Sequence, residues 1–258
     1  MSAVPFEKWE GLGNDFVVLR DLGRDLADAG VRRLCDRRLG VGADGVLLVE
    51  TAPPRMIVRN ADGSRPEMCG NGLRCVARHL AASDRIPVDA AVVDDTDAGP
   101  RTVRVAPSFD AVTIDMGVAA FSSPAQFPRP LDRAPLHGFA RATTVSMGNP
   151  HVVLEVDALP SLDDAARIGR AIELDAAVFP QRTNVEWVVV RGAHDVDVLV
   201  WERGAGLTMA CGTGACGVVA VLVKHGVVDR GTTTVRLPGG PLRRIERGEV
   251  TLEKQQSR

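Results

Sequence analysis

The sequence predicts an α/β (α+β) protein of two pseudo-symmetric domains, with an active site in the cleft between them. Each domain is expected to be a curved, mostly antiparallel sheet wrapped around a central helix. Three observations support this prediction: a globular composition, an internal duplication, and a helix in the second half that is apolar almost all round. The chain has 258 residues, of which 45% are hydrophobic and 25% charged, as is ordinary for a globular protein. Such a length accommodates two domains of about 100–150 residues each.

The duplication is visible in two motifs that recur in the same order at nearly the same spacing. Residues 13–19 (GNDFVVL) recur as residues 148–154 (GNPHVVL), and residues 69–72 (CGNG) recur as residues 211–214 (CGTG). A repeat of this kind indicates two homologous halves.

The proline-rich segment over residues 117–135 has little periodicity and is expected to link the two halves. We therefore expect an amino-terminal domain over residues 1–117, which carries Cys69. The carboxy-terminal domain is expected over residues 118–258 and carries Cys211, and its last few residues are expected to pack on the first domain.

The first half shows strand-like apolar runs around two helical patterns. One helix is predicted over residues 26–38, ending at Gly40, and the other over residues 73–82, directly after the CGNG motif. The strands are predicted at residues 17–19, 46–49, 56–59, 91–94, 101–105 and 111–115.

The second half repeats this organisation. A helix is expected to begin near Ser161, a suitable N-cap with Asp164 three residues later. The helix over residues 215–225 is apolar almost all round, so we expect it to be buried inside a wrapped sheet. The strands are predicted at residues 152–156, 185–190, 196–201, 232–237, 242–245 and 249–252.

Composition also argues against several classes of function. The formal net charge of −2 gives no global field for a polyanion, so nucleic acid is not an expected partner. The amino terminus has no apolar signal region and no apolar run approaches a bilayer span, which predicts a cytoplasmic protein with no membrane partner. The five cysteines form no Cys-x-x-Cys pair, so neither a zinc site nor a disulfide framework is expected.

Each Cys-Gly-x-Gly motif places a cysteine at the start of a predicted helix. The first N–H groups of a helix are unpaired and its dipole is positive there, which favours a thiolate and can bring the thiol pKa from about 8.5 to near neutrality. The flanking glycines leave the N–H groups open to a carboxylate or phosphate. Cys69 and Cys211 are therefore candidate general acid and base groups.

Two thiols on opposite sides of one carbon could remove a proton from one face and return a proton to the other. This chemistry inverts a stereocentre and needs neither a cofactor nor a metal, and the helix N-termini would stabilise the charge of the carbanion. A cysteine taken alone is more often a buried structural residue, and this is the interpretation for Cys75 and Cys216. The repeated glycine context reverses the balance for Cys69 and Cys211.

Residues 212–217 (GTGACG) match the dinucleotide fingerprint G-x-G-x-x-G. The segment lies far from the first strand-to-helix turn and has no acidic residue at the end of a second strand about 20 residues later, which argues against a dinucleotide site.

Eight motifs in order, spread over nearly the whole chain, resemble the diaminopimelate epimerase family. The resemblance implies a pyridoxal-independent isomerase that interconverts LL- and meso-2,6-diaminopimelate for lysine and cell-wall precursor synthesis. The motifs are residues 11–16 (GLGNDF), 42–45 (GADG), 60–64 (NADGS), 69–72 (CGNG), 148–151 (GNPH), 183–186 (TNVE), 202–206 (ERGAG) and 210–216 (ACGTGAC).

The resemblance also implies roles for individual residues. Cys69 and Cys211 are the acid/base pair, and His151 and Glu202 adjust their pKa values. The reacting carboxylate is held by helix-terminal groups of Gly70, Asn71, Gly212 and Thr213. The substrate is held by Asn14, Asn60, Asn149, Asn184, Glu202 and Arg203, of which Arg203 suits a distal carboxylate and Glu202 a distal ammonium. Taken alone, an asparagine serves equally well in a turn, and a histidine such as His151 is more often a satisfied, partly buried imidazole.

Three features depart from the family pattern. Gly45 stands where some members carry a substrate-contacting glutamine, and Leu207 replaces a common acidic residue. After residue 252 the chain lacks the usual Gly-Pro-Ala segment and final strand. The resemblance implies a homodimer, although a family dimer contact uses a tyrosine and this sequence contains none.

Two alternatives stay open at this point. A pyridoxal-independent racemase of another amino acid would keep both cysteines and change the contacts to the distal part of its substrate. A redox-sensing protein would use Cys69 and Cys211 as a reversible disulfide, but it would leave the polar set around Arg203 without a role.

Overall fold

The chain divides into two compact units, Met1–Asp115 and Met116–Arg258. The structure, a computed structural model, describes residues 4–245 and 249–253. The expectation about the last few residues falls on residues 254–258, which lie outside the described part of the chain. In the described residues, no helix is both long enough and apolar enough to cross a membrane.

The first unit contains a four-stranded sheet, a three-stranded meander and two helices. The sheet strands lie in chain order and pair antiparallel, except for the central pair, which is parallel. The sheet consists of β1 (Glu7–Gly11), β2 (Asn14–Arg20), β3 (Gly45–Thr51) and β4 (Pro54–Asn60), the helices are α1 (Asp28–Cys35) and α2 (Gly70–Ala82), and the meander is β5 (Val92–Asp94), β6 (Arg101–Val105) and β7 (Ala111–Asp115).

Helix α1 is shorter than the sequence predicts, because it ends at Cys35 rather than running to residue 38. The Asp36 carboxylate accepts hydrogen bonds from the backbone N–H groups of Arg38 and Leu39, at 2.7 and 2.9 Å. An Asp that binds the backbone of the following residues favours a turn over continued helix. Local side-chain chemistry therefore ends the helix before Gly40.

The second unit is a larger, mostly antiparallel sheet with two helices, and two of its strand pairs are parallel. Helix α3 begins as predicted, since the Ser161 hydroxyl accepts a hydrogen bond from the Asp164 N–H at 3.2 Å. The elements are β8 (Ala134–Leu136), β9 (Phe139–Ser146), β10 (Pro150–Glu155), α3 (Leu162–Glu173), β11 (Asn184–Gly192), β12 (Asp195–Glu202), β13 (Gly206–Thr208), α4 (Gly212–Lys224), β14 (Thr233–Leu237), β15 (Gly240–Ile245) and β16 (Glu249–Glu253).

The segment over residues 117–135, which the sequence predicts as the connection between the halves, packs on the second unit. Phe127 is 1% exposed and belongs to the core of the second unit, with Leu131 packed against it. Ala120 also forms a backbone bridge with Ser146 of β9. Burying a phenylalanine stabilises the fold by roughly 1.5–3 kcal/mol, which holds this irregular segment on the second unit despite its prolines.

Helices α2 and α4 are the central helices of the two units. Helix α4 packs against β9, β10, β11 and β15, and most of its residues are buried, including Val218 and Leu222. Helix α2 packs against β1, β3, β6 and β7 of its own unit. The predicted α/β class, with mostly antiparallel strands around a central helix in each domain, is confirmed.

Candidate functional site

Cys69 is the N-cap of helix α2. Its backbone is extended, with φ −135° and ψ 111°, and its sulfur accepts a hydrogen bond from the Gly72 N–H at 3.4 Å. The Cys69 carbonyl accepts the first helical bond from the Leu73 N–H at 2.8 Å. The thiol therefore lies directly at the positive end of a buried helix.

Cys211 repeats this geometry at the start of helix α4, with φ −130° and ψ 116°. Its sulfur accepts from the Gly214 N–H at 3.3 Å and lies 3.3 Å from the Thr213 hydroxyl. The two Cys-Gly-x-Gly motifs thus produce the same cap twice. Gly70 and Gly212 are the first helical residues, and Asn71 and Thr213 follow them.

Three of the predicted polar residues of the first unit lie near the start of α2 or at the ends of strands. Asn71 is 2% exposed, and its side-chain amide donates to the side-chain oxygen Oδ1 of Asn14. The Arg74 guanidinium donates to the side-chain oxygen Oδ1 of Asn71. Asn60 is the last residue of β4, and its side chain donates to the Ser64 hydroxyl at 2.9 Å. This hydrogen bond stabilises the turn after β4, which is the structural role that an asparagine taken alone would have.

Burial and two carboxylates raise the pKa of Cys211 well above its ordinary value. Removal from water is the largest cause, followed by the charges of Glu202 and Glu186; the hydroxyl of Thr213 and the N–H of Gly214 act in the opposite direction. This direction is opposite to the near-neutral thiol pKa that the sequence predicts for a cysteine at a helix N-terminus. The helix terminus is present, but desolvation and repulsion outweigh it.

Glu202 lies beside Cys211, as the resemblance implies. Burial raises the pKa of Glu202, against hydrogen bonds from Thr208 and Cys211 and the nearby charge of His151. The Thr208 hydroxyl donates to a Glu202 carboxylate oxygen.

His151 is completely buried on β10 and has partners at both ring nitrogens. Its Nδ1 lies 2.6 Å from the Glu186 carboxylate, and its Nε2 lies 3.0 Å from the Asn149 amide oxygen. The Asn149 amide donates to the Thr213 hydroxyl at 3.3 Å, and this hydroxyl contacts Cys211. Hydrogen bonds thus connect His151, through Asn149 and Thr213, to Cys211.

Asn184 links this network to the arginine that follows β12. The Asn184 side chain donates to the Pro150 carbonyl at 2.9 Å and accepts from the Arg203 backbone N–H at 2.8 Å. The Arg203 guanidinium also donates to the Gln181 carbonyl at 3.2 Å. The Asn184 side chain therefore fixes the position of the Arg203 backbone.

The three remaining cysteines are buried hydrophobic residues. Burial raises the pKa of Cys75 to about 12 and also raises that of Cys35. Cys216 is 1% exposed inside α4. The structural interpretation of Cys75 and Cys216 agrees with these positions.

Two buried acidic residues of the second unit had no predicted role. Glu186 is fully buried on β11 between Val185 and Trp187, and Glu173 is 2% exposed at the end of α3. The signal for Glu186 was available, because a charged residue within an otherwise apolar strand requires a buried partner. The sequence alone did not show that the partner is His151.

The departures at Gly45 and Leu207 have local explanations. A Cβ at Gly45 would lie 2.8 Å from the Arg59 carbonyl oxygen, so this backbone leaves no room for a glutamine. Leu207 lies in β13 opposite Trp201 and packs against the core of the second unit. Leu207 therefore makes an apolar packing contact where the family commonly has an acidic side chain.

Comparison of the sequence with known proteins gives consistent matches. A family model described as "Diaminopimelate epimerase" matches residues 6–122 and 143–252. A diaminopimelate epimerase of Desulfitobacterium hafniense is 43% identical, covering 94% of this chain and 90% of the relative. Another of Desulforudis audaxviator is 44% identical, covering 92% and 89%.

Solved structures share the fold at much lower identity. A hydroxyproline epimerase from Agrobacterium vitis matches with a TM-score of 0.68 and 16% identity, covering 95% of this chain and 88% of the other. A probable proline racemase from Agrobacterium radiobacter matches with a TM-score of 0.69 and 14% identity, covering 97% and 90%. At such identities the likeness establishes the fold alone.

Proposed function

Because the chain belongs to the diaminopimelate epimerase family, we propose that it interconverts LL- and meso-2,6-diaminopimelate by proton transfer at Cα, in lysine and peptidoglycan precursor synthesis. It is an isomerase. The observation that carries the proposal is the duplicated cysteine cap, in which Cys69 and Cys211 each bind the N–H of the second glycine that follows. Burial alone does not require that geometry twice.

In the proposed reaction, one cysteine acts as a thiolate and removes the Cα proton, and the other acts as a thiol and donates a proton to the opposite face. The two cysteines exchange these roles in the reverse direction. The helix N-termini at Gly70, Asn71 and Thr213 favour a bound α-carboxylate and the negative charge that develops next to it. His151 and Glu202 adjust the pKa values of the thiols.

The distal head of the substrate carries a carboxylate and an ammonium. Arg203 supplies planar N–H donors for the carboxylate, and Glu202 supplies an acceptor for the ammonium. Asn14, Asn60, Asn149 and Asn184 complete the polar set, either directly or by fixing neighbouring groups. The reaction needs no cofactor or metal, the partner is a small amino acid rather than nucleic acid or a membrane, and we place the enzyme in the cytoplasm, as a homodimer.

Solvent exchange tests the proposal. Purified protein is incubated with LL-diaminopimelate in D₂O, with hydroxylamine to capture pyridoxal and EDTA to bind metals. We expect meso product that carries solvent deuterium at the inverted Cα. Absence of exchange, or exchange that requires added pyridoxal phosphate, would contradict the proposal.

A further inference from the structure

The two halves align residue by residue behind their cysteines. In the first unit, β2 and β3 pair in parallel with Phe16 opposite Gly45. In the second unit, β10 and β11 pair in the same way with His151 opposite Asn184. Since residues 13–19 match residues 148–154 in sequence, His151 occupies the position of Phe16.

The next equivalent pair lies two residues further along. Leu47 of β3 and Glu186 of β11 both approach the second glycine of their helix. A Cβ at Gly72 would lie 2.8 Å from a Leu47 methyl carbon, and a Cβ at Gly214 would lie 2.7 Å from the Glu186 Oε1. The two halves therefore have the same arrangement of strands and helix at this place. The first half has the apolar residues Phe16 and Leu47 there, and the second half has the ionisable residues His151 and Glu186.

The ionisable pair is buried without any exposed atom. The distance of 2.6 Å between His151 Nδ1 and Glu186 Oε1 is that of a strong hydrogen bond. The second oxygen, Glu186 Oε2, has no hydrogen-bond partner among the described residues. An apolar pair such as the one in the first half fills this place without the desolvation penalty, so the ionisable pair calls for a functional explanation.

The Glu186 carboxylate and the Cys211 thiol lie near the same point beside Gly214. The same Cβ built at Gly214 would lie 3.3 Å from the Cys211 sulfur, so the two groups border the space that a side chain at residue 214 would fill. The titratable groups that face Cys211 are Glu186 from β11, Glu202 from β12 and, behind Glu186, His151 from β10. Two of these three groups carry negative charge when ionised, which opposes a thiolate at Cys211.

We propose that Glu186 is a positioning residue for the reaction: its buried carboxylate fixes the ring of His151 and holds Cys211 in the thiol form before substrate binds. This inference rests on the proposed epimerase function and deepens it. The first half has Phe16 and Leu47 at these places and lacks this charge, so the two cysteines are chemically inequivalent although their caps match. Cys211 is then the proton donor in the direction in which Cys69 acts as the thiolate.

The test is the pH dependence of alkylation of the ligand-free protein. Wild type and Glu186→Gln are treated with iodoacetamide across a pH series, and peptide mass spectrometry follows Cys211 and Cys69 in the same samples. Glu186→Gln keeps the shape and removes the charge, so the Cys211 profile should move to lower pH by about one unit, equal to roughly tenfold faster alkylation at a fixed pH below the thiol pKa. The Cys69 profile should stay in place.

Three further variants make the result specific. Glu186→Asp keeps the charge but is shorter, so it should leave the Cys211 profile near wild type even where it lowers kcat. Glu155→Gln, at another largely buried carboxylate on β10 that pairs with Arg133 at 2.7 Å, should move neither profile. If Glu186→Gln fails to fold, Glu186→Met removes the charge at similar volume and should give the same shift.

An unchanged Cys211 profile in folded, charge-neutral variants would overturn the inference, and so would an equal shift at Cys69. Turnover separates this outcome from failure of the proposed function. In Glu186→Gln we expect kcat to fall at least tenfold while KM stays within about threefold, because the proton donor changes and the substrate contacts do not. A shifted profile in a protein whose wild type never epimerises diaminopimelate would refute the function and leave the thiol assignment intact.

Discussion

At the scale of single residues, the five cysteines divide by position. Cys69 and Cys211 are N-caps whose sulfurs accept backbone hydrogen bonds. Cys75 is buried within α2, and burial raises the pKa of its thiol to about 12. The same side chain therefore has two uses in one helix. This contrast supplies a matched control for mutagenesis.

Replacing Cys69 or Cys211 with alanine should each lower kcat by at least about 10²–10⁴, because one face of the substrate then lacks its proton donor or acceptor. Cys75→Ala should keep kcat/KM within a few-fold of wild type and lower the free energy of unfolding by about 1 kcal/mol. Steady-state kinetics and thermal unfolding of the three variants provide the comparison. Retention of more than a few per cent of the rate in either cap variant would exclude a two-thiol mechanism.

At the scale of elements, helix α3 fixes the turn between β12 and β13. The Glu173 carboxylate, at the end of α3, accepts from the Trp201 indole at 2.7 Å and from the Gly204 N–H at 2.9 Å. It also pairs with Arg182. Because Gly204 directly follows Arg203, this buried carboxylate holds the arginine proposed to bind the distal carboxylate of the substrate.

Glu173→Gln should therefore raise KM by roughly five- to fifty-fold with a smaller change in kcat, because a neutral amide cannot replace all three charge-assisted contacts. Asp164→Asn on the same helix is the control, since its ion pair with Arg167 is exposed and contributes little. An equal rise in KM in both variants would indicate a general effect on α3 and would contradict a specific role of Glu173 in holding Arg203.

Strand β5 carries a buried carboxyl group with an unusual titration. Asp94 is 1% exposed, and neither of its oxygens has a hydrogen-bond partner among the described residues. Burial, with a smaller contribution from Asp95, raises the pKa of Asp94 to about 7. Since the folded pKa exceeds the unfolded one, stability is fully present below about pH 4 and decreases as pH rises through 7.

Asp94→Asn should remove that loss. At pH 4 the variant and wild type should have similar free energies of unfolding, and at pH 8.5 the variant should be more stable by on the order of 4 kcal/mol. Denaturant unfolding at both pH values measures the difference. Equal stability at pH 8.5 would mean that the carboxylate finds a partner when it ionises.

The elements also show how far the sequence could predict the fold. Strand positions and the Ser161 cap were predictable because alternation and capping are local properties. The end of α1 depended on a turn at Asp36, and the packing of Phe127 depended on a distant core. Burial of residues in an irregular segment leaves no periodic pattern to detect, so the packing of residues 117–135 on the second unit could not be predicted.

At the scale of the whole molecule, the duplication made the two caps predictable but hid their divergence. Both halves read Cys-Gly-x-Gly, and the matching motifs suggested equal thiols. The difference arises from Leu47 against Glu186, residues distant in sequence from the cysteines that only strand pairing brings behind them. The thiol pKa therefore could not follow from the cap motif alone, because desolvation and nearby carboxylates depend on the folded environment.

Substrate selectivity distinguishes the proposed function from that of a racemase of another amino acid. Arg203 can form a planar pair of hydrogen bonds with a carboxylate, a charge-assisted contact that contributes roughly 1.5–3 kcal/mol. Lysine keeps the distal ammonium of diaminopimelate but lacks the distal carboxylate, so it leaves that arginine desolvated without its anion. Loss of a partner at a polar site can reduce kcat/KM by several orders of magnitude.

We therefore expect kcat/KM for diaminopimelate to exceed that for lysine by at least about 10³. Arg203→Lys should lose most of the activity on diaminopimelate, because a point charge cannot reproduce the planar fork. The measurement compares the two substrates in wild type and in the variant. Similar values of kcat/KM in wild type would mean that the site does not select a second carboxylate, and the protein would then be assigned as a general amino-acid racemase that keeps the same two cysteines.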